Sequence, residues 1–389
     1  MNRNLQSQLP CVLASRRPAG WPAITLNRLK DELHRLLAAL DFPWDLNARQ
    51  LVLLKPNLNH IPGQREWPGT TPLLLRALYE VIAGGTHARV AFLESPGIGR
   101  QAQDCYCLLR SLEPRLGHAE MIDPGSVPRC EMRSPLRGFS IRLPRVFLEA
   151  AVVVDIPRAK THSLTGISVG IKNLFALLDE QTRRSNHTLT RVDAILADLV
   201  AIRPPEYTIV DCLAPIQGQG PLYGSAVPRG WILASTSVVS ADTETAQVLG
   251  VDPETISHLS LARDGLARLG YPVKHSLQYL GDVGEPEVVL PAAALYNPFP
   301  QIAVIASPRC ERGHLNAITH SLCRLEDEGW APKEATVIVV GRTRQPTATN
   351  VRLICFGDQA SKVSGRLSPT LIHGNPPDAF ALYRALKDC

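Results

Sequence analysis

Apolar runs rich in β-branched residues recur along the chain, and each ends abruptly in a polar group: LVLLKPN (51–57), RVAFLESPG (89–97), AVVVDIP (151–157), YTIVDCL (207–213) and WILASTS (231–237). Continuous apolar runs, unlike alternating ones, mark parallel strands covered on both faces. Helical patterns lie between them. TPLLLRALYEVIAGG (71–85) opens at a Thr-Thr-Pro start and stops at paired glycines, while RVDAILADLVAIRP (191–204) ends before a proline. This alternation predicts βαβ units and an α/β fold of mainly parallel sheets flanked by helices. The proline-containing stretch YNPFPQ (296–301) marks a boundary. Beyond it, QIAVIAS, ATVIVVG, VRLICFG and the final helical pattern PPDAFALYRALK predict a smaller C-terminal α/β unit over 301–389, after a main domain over 1–300.

Composition narrows the function classes. With 389 residues and 45% hydrophobic content the chain can bury a large core. Its 41 Lys plus Arg against 36 Asp plus Glu leave +5, spread without a polybasic run, which argues against nucleic-acid binding. The N-terminal MNRNLQSQLPCVLASRR lacks the apolar core of a signal peptide, and no run approaches the ~18 apolar residues of a membrane span. A cytoplasmic protein is therefore expected, with neither membrane nor nucleic acid as a partner. Of nine cysteines, Cys105 and Cys107 alone are close in sequence, so no iron–sulfur cluster and no metal site is expected within this chain. No phosphate-loop, dinucleotide, nucleophile-elbow or HExxH motif is complete, and the organic cofactor, if one exists, is left open.

The chemistry gathers where the apolar runs end. In open parallel sheets, ligands bind outside the carboxyl ends of the strands. Those ends carry Lys55 and Asn57, Glu94 and Ser95, Asp155, Lys160 and His162, Asp211, and Thr236. The richest segment is VVVDIPRAKTHSLTGISVGIKNLFALL (152–178), read as a buried strand handing over to an amphipathic helix. With a helix starting near Thr165, Ile167, Ile171, Leu174 and Leu178 form its core stripe, and Lys172 lies off it. Gly166 and Gly170 would leave the first N–H groups open to a carboxylate- or phosphate-sized anion beside Lys160 and Lys172. The same residues have structural alternatives: the lysines as a solvated face or in ion pairs with Asp155 or Asp179, His162 as a cap, and Asp155 and Asp211 capping turns.

The set KPN (55–57), TTP (70–72), ESPG (94–97), DIPRAKTHSLTGISVGIKNLFALL (155–178), IVDCLAPIQGQGP (209–221) and Asp242 resembles the DUF362 family of uncharacterised α/β proteins. The resemblance spans roughly residues 50 to 260, and the KTH…G…GIKN segment is its most specific part. Members often stand beside ferredoxin-type iron–sulfur segments, which implies a separate ferredoxin or redox partner here. A more distant likeness, in architecture and in the Lys/His-rich central loop, is to the lactate-racemase-like proteins. The chain departs from the family pattern at Gln217 and Ser237, where carboxylates are usual, and at Gln359 and Asn375, where cysteines are common. It also carries Glu94 where the family usually has the aspartate of GDSP. These losses count against a redox or metal role.

Three functions are expected to compete, of which the third, a redox enzyme borrowing electrons from a separate ferredoxin, is disfavoured by the missing cysteines. The first is an enzyme acting on a small anionic metabolite. Lys160 and Lys172 would hold the anion and His162 would transfer the proton, oriented by Asp211 or Asp242. Lys55, Asn57, Glu94, Ser95, Thr161, Asn173 and Gln217 would complete the substrate site. The second is a non-catalytic ligand-binding or assembly partner of an iron–sulfur or redox system, using the same basic pocket.

Overall fold

A computed structural model describes residues 11–16, 25–58, 67–95, 97, 101–162, 165–186, 191–221, 223–280, 297–306, 312–340, 351–358, 360, 369–374 and 378–387. The chain divides into two units, Met1–Pro291 and Ala292–Cys389, so the division falls ahead of the YNPFPQ stretch.

In the first unit, strands β1 (Cys11–Arg16), β2 (Leu51–Pro56), β3 (Arg89–Leu93) and β4 (Glu120–Ile122) precede a separate hairpin of β5 (Arg129–Arg133) and β6 (Ser140–Pro144). Then come β7 (Val152–Ile156), β8 (Arg158–His162), β9 (Gly166–Ser168), β10 (Tyr207–Gln219), β11 (Tyr223–Ala226), β12 (Trp231–Ser235) and β13 (Ser276–Tyr279). The main sheet runs β13-β1-β12-β10-β7-β2-β3-β4, and its β10-β7-β2-β3-β4 block is parallel. The unbroken apolar runs follow from this placement. Leu53 and Val153 point into one core, while Val52, Leu54, Val152 and Val154 point into the other, so β2 and β7 are apolar on both faces up to Lys55 and Asp155.

Helices Leu26–Ala39 and Pro72–Gly85 fill one face of the sheet, and helices Val192–Ile202, Val238–Val248 and Ser257–Arg268 fill the other. The run WILASTS departs from the parallel expectation. As β12 it pairs antiparallel with both β10 and β1, because β10 turns back through β11 before the chain re-enters the sheet.

The second unit holds β14 (Ile302–Ala306), β15 (Thr336–Val340), β16 (Arg352–Phe356) and β17 (Thr370–Ile372), all parallel and in sequence order. Helices Arg312–Asp327 and Ala379–Lys387 supply Ile318, Leu322, Leu325, Leu382 and Leu386 to its core. The fold is thus α/β, with mainly parallel sheets flanked by helices and a smaller C-terminal α/β unit.

Candidate functional site

Register brings the polar ends of the strands together. Lys55 lies opposite Asp155 across the β2–β7 pair, on the face that carries Leu53 and Val153. Both are fully buried. Lys55 Nζ donates to Glu94 Oε2 (2.7 Å), Pro56 O (2.8 Å) and Asn173 Oδ1 (3.4 Å), so its three donors are all used. The Asn173 amide is the hub. Its Nδ2 donates to Asp155 Oδ1 (2.8 Å), Lys55 O (3.1 Å) and Pro56 O (3.3 Å), and its Oδ1 accepts from Asn57 Nδ2 at 3.2 Å. Asn57 Oδ1 in turn accepts from Lys160 Nζ at 2.7 Å. A donor-only ammonium at one end and a carboxylate oxygen at the other set the orientation of both amides.

The Lys/His segment differs from the helix expected near Thr165. Gly166 sits at φ +79°, a left-handed conformation that turns β8 back on β9, with Lys160 opposite Ser168 and His162 opposite Gly166. Of the residues read as a helical stripe, Ile167 lies in β9, and the helix starts only at Gly170, runs four residues to Asn173 and continues as a 3₁₀ turn, Leu174–Leu177. Its first N–H groups are already occupied. Asp242, on helix Val238–Val248, accepts from Gly170 N (2.8 Å) and Ile171 N (3.0 Å). The anion expected there is therefore the protein's own carboxylate. Gly170 makes this approach feasible: a Cβ on it would stand 2.6 Å from Val238 Cγ2, 2.9 Å from Asp242 Oδ1 and 3.0 Å from Asp155 Oδ2.

Burial shifts the acid–base behaviour of the cluster. It pushes the Asp155 carboxyl well above the usual range, against the pull of Lys55 and Asn173, and Asp155 Oδ2 is buried without a hydrogen-bond partner among the described residues. It raises Asp242 to about 7 despite the two N–H bonds. Glu94 is also raised by burial, opposed by Lys55. Lys160, 2% exposed, is lowered to about 7 by burial and by the Arg158 guanidinium, with the Lys172 ammonium adding to the effect. Lys172 is half-buried, with Nζ 4.7 Å from the centre of the Phe175 ring, and burial of its ammonium end together with Arg183 lowers it to about 8.

Other expected site residues have structural work. Asp211 Oδ2 accepts from Thr71 N (2.7 Å) at the start of helix Pro72–Gly85, and its Oδ1 accepts from Leu213 N (3.1 Å). It thus caps, as its structural alternative had it, and neither of these bonds orients His162. Thr161 Oγ1 donates to Ile216 O (3.2 Å) and Gly218 O (2.8 Å), tying β8 to β10. By strand alternation Lys160 and His162 share the opposite face. His162 is buried, and its Nδ1 accepts from Thr165 N at 3.3 Å. Gln217 is half-buried in the β10–β11 hairpin opposite Ser225, and Ser95 is buried beside Glu94 in the chain. Ser237 caps helix Val238–Val248 by accepting from Ser240 N. Gln359 and Asn375 lie outside the described residues.

Sequence reasoning passed over Arg158, whose fork donates to Ala214 O (2.6 and 3.0 Å), Gly69 O (3.2 Å) and Trp67 O. It also passed over Thr70, which accepts from Asn57 N and donates to Ile156 O. Arg158 stands just ahead of the KTH segment and Thr70 heads the TTP motif, and those positions were the available signal. Among the described residues, no group of three or more His, Cys, Asp or Glu side chains converges as a metal site. No helix among them is long and apolar enough to cross a membrane.

An open, mainly parallel α/β sheet with a buried lysine–amide–carboxylate cluster at its strands' carboxyl ends defines the class of protein. Within that class the chain belongs to the DUF362 family, the model of this domain of unknown function matching residues 52–247. The thylakoid-associated protein sll1697 of Synechocystis sp. (strain ATCC 27184 / PCC 6803 / Kazusa) is 27% identical over 263 residues, covering 62% of this chain and 77% of that protein. The lactate racemase apoprotein from Thermoanaerobacterium thermosaccharolyticum is 12% identical with a TM-score of 0.38, over 85% of this chain and 68% of that one.

Proposed function

We propose that the protein is an enzyme that binds a small anionic metabolite at the carboxyl ends of its parallel strands and moves a proton with Lys160. One observation carries this reading. Lys160 is almost wholly buried, and among the described residues its hydrogen bond goes to a neutral amide, not to a carboxylate. A buried cation without a counter-charge is costly, and an arriving anion relieves that cost. An amine titrating near 7 also exchanges a proton readily at neutral pH.

The neighbours then take distinct roles. Asn57, held by Asn173, aims the Lys160 ammonium, and Lys172 adds a second cation. His162 Nδ1 accepts from Thr165 N, which occupies the nitrogen that would otherwise act as a base. Lys160, and not His162, carries the proton in this reading, and Asp211 and Asp242 act as anchors of the scaffold.

The test is calorimetric titration of phosphate into wild type and Lys160→Met. Loss of the ammonium should weaken binding by about 1.5–3 kcal/mol, roughly 10- to 150-fold. His162→Gln should keep most of the binding, because an amide also donates. Wild-type affinity in Lys160→Met would end this reading.

The engaged Nδ1 of His162 favours one second reading: a ligand-binding partner of a separate redox protein such as a ferredoxin, without turnover. A stoichiometric complex with ferredoxin whose affinity changes when phosphate is added would support it.

A further inference from the structure

We infer that Asp155 is held as a neutral carboxylic acid, with its proton on Oδ2 on the side of Asp242, and that in this form it positions Lys160 through Asn173 and Asn57 without lending the site a negative charge. The neutral acid stands independently of the anion-binding reading above; its part in seating a ligand rests on that reading. The donors around Asp155 are used elsewhere. Lys55 lies opposite it in register, yet the three Lys55 donors go to Glu94 Oε2, Pro56 O and Asn173 Oδ1. Asn173 Nδ2 donates to Asp155 Oδ1 at 2.8 Å, and Oδ2 receives no donor among the described residues although Asp155 is fully buried. Thr208, beside Asp155 in the β7–β10 register, is also fully buried, and its Oγ1 makes no hydrogen bond among them. An ionised oxygen in that state bears its full desolvation cost. A proton on Oδ2 removes the charge and leaves Oδ1 as a carbonyl that still accepts from Asn173.

A second carboxyl shares the space. The point that a Cβ on Gly170 would take stands 3.0 Å from Asp155 Oδ2 and 2.9 Å from Asp242 Oδ1. Two buried carboxyls that border one such point ionise together only at high cost. Hydrogen bonding decides which of them keeps the proton. Asp242 has both oxygens on backbone N–H groups at the helix start, which favours its ionised form, whereas Asp155 has a single amide donor. The charge therefore falls to Asp242 and the proton to Asp155. The charged groups facing Asp155 act in the same sense: Asp242 from helix Val238–Val248 and Glu94 from beyond β3 add to the burial that raises it, and Lys55 from β2 opposes them with an ammonium already paired to Glu94.

The consequence reaches Lys160. Asp155, Asn173, Asn57 and Lys160 form one chain of hydrogen bonds of 2.8, 3.2 and 2.7 Å. A neutral acid at its far end fixes both amides as a carboxylate would and adds no charge. Asp155 is thus a positioning residue, and the Lys160 ammonium is left for a ligand to neutralise.

The experiment records infrared difference spectra of the full-length protein at neutral pH, comparing wild type with Asp155→Asn and with Asp242→Asn, and titrates phosphate into wild type, Asp155→Asn and Asp155→Ala. The wild type minus Asp155→Asn spectrum should contain the C=O stretch of a protonated carboxyl, shifted in heavy water, and Asp242→Asn should retain that band. Asp155→Asn keeps an acceptor for Asn173 and a donor in place of the O–H, so its phosphate affinity should stay within about twofold of wild type. Asp155→Ala releases Asn173 and should bind about tenfold more weakly. A difference spectrum without the band, or a band lost from Asp242→Asn instead, would overturn the neutral acid. Equal losses of affinity in Asp155→Asn and Asp155→Ala, or wild-type affinity in Asp155→Ala, would overturn the positioning role. Phosphate that fails to bind wild type, with the band present, would overturn the anion-binding reading and leave the neutral acid in place.

Discussion

At the residue scale, Gly170 and Asp242 make one device. The glycine leaves room for a carboxylate to reach two backbone N–H groups, and a methyl group there would press on Val238 and both aspartates. Gly170→Ala should cost about 1–3 kcal/mol, read as a lower urea midpoint at unchanged slope. Asp242 adds a pH signature. Burial raises its pKa in the folded protein to about 7, above its ordinary value of 3.8, so the folded state keeps a proton that the unfolded chain releases. The stability from this group is full below 3.8 and is lost as pH rises through 7. Thermal melts of Asp242→Asn should therefore fall less steeply than wild type between those limits, and an unchanged slope would assign the titration elsewhere. The sequence singled out Asp242, Gly170 and Lys172 as site residues. It could not show that Asp242 fills the helix start, because that depends on how helix Val238–Val248 packs over a segment almost seventy residues earlier.

At the element scale, the strands buried on both faces were the most legible, since β2 and β7 leave no position for alternation. The KTH segment misled for a physical reason. Ile167, Ile171, Leu174 and Leu178 satisfy a helical stripe, but a left-handed Gly166 closes a hairpin that no periodicity count detects. The run of β12 was equally apolar yet antiparallel, because burial on both faces constrains composition and not direction. Asp211 links two elements, the end of the β10 core segment and helix Pro72–Gly85. Asp211→Ala should destabilise the protein by about 1–3 kcal/mol through two orphaned N–H groups while leaving phosphate binding in place. Loss of phosphate binding at unchanged stability would instead return Asp211 to the reacting centre.

At the scale of the whole molecule, each unit has its own hydrophobic core: Leu53, Val153 and Phe92 belong to the cores of the first, Ile318, Ile338 and Phe356 to that of the second. Calorimetry should resolve two unfolding transitions, with Gly170→Ala moving one of them; a single transition shifted as a whole would contradict separate cooperative units. The sequence placed the boundary by its prolines and the site by the carboxyl-end rule, and Lys55, Asn57, Lys160 and Asn173 do meet there. Which lysine is neutralised was not legible, because the Lys55–Glu94 pair joins residues thirty-nine apart through strand order. The central claim is that Lys160 is a buried ammonium awaiting an anion. Its most direct test is the pH titration of the Lys160 side chain by NMR or competitive chemical labelling, with and without phosphate. The account predicts a midpoint near 7 that moves upward when phosphate is added. A midpoint near the ordinary lysine value of 10.5, unmoved by phosphate, would contradict it.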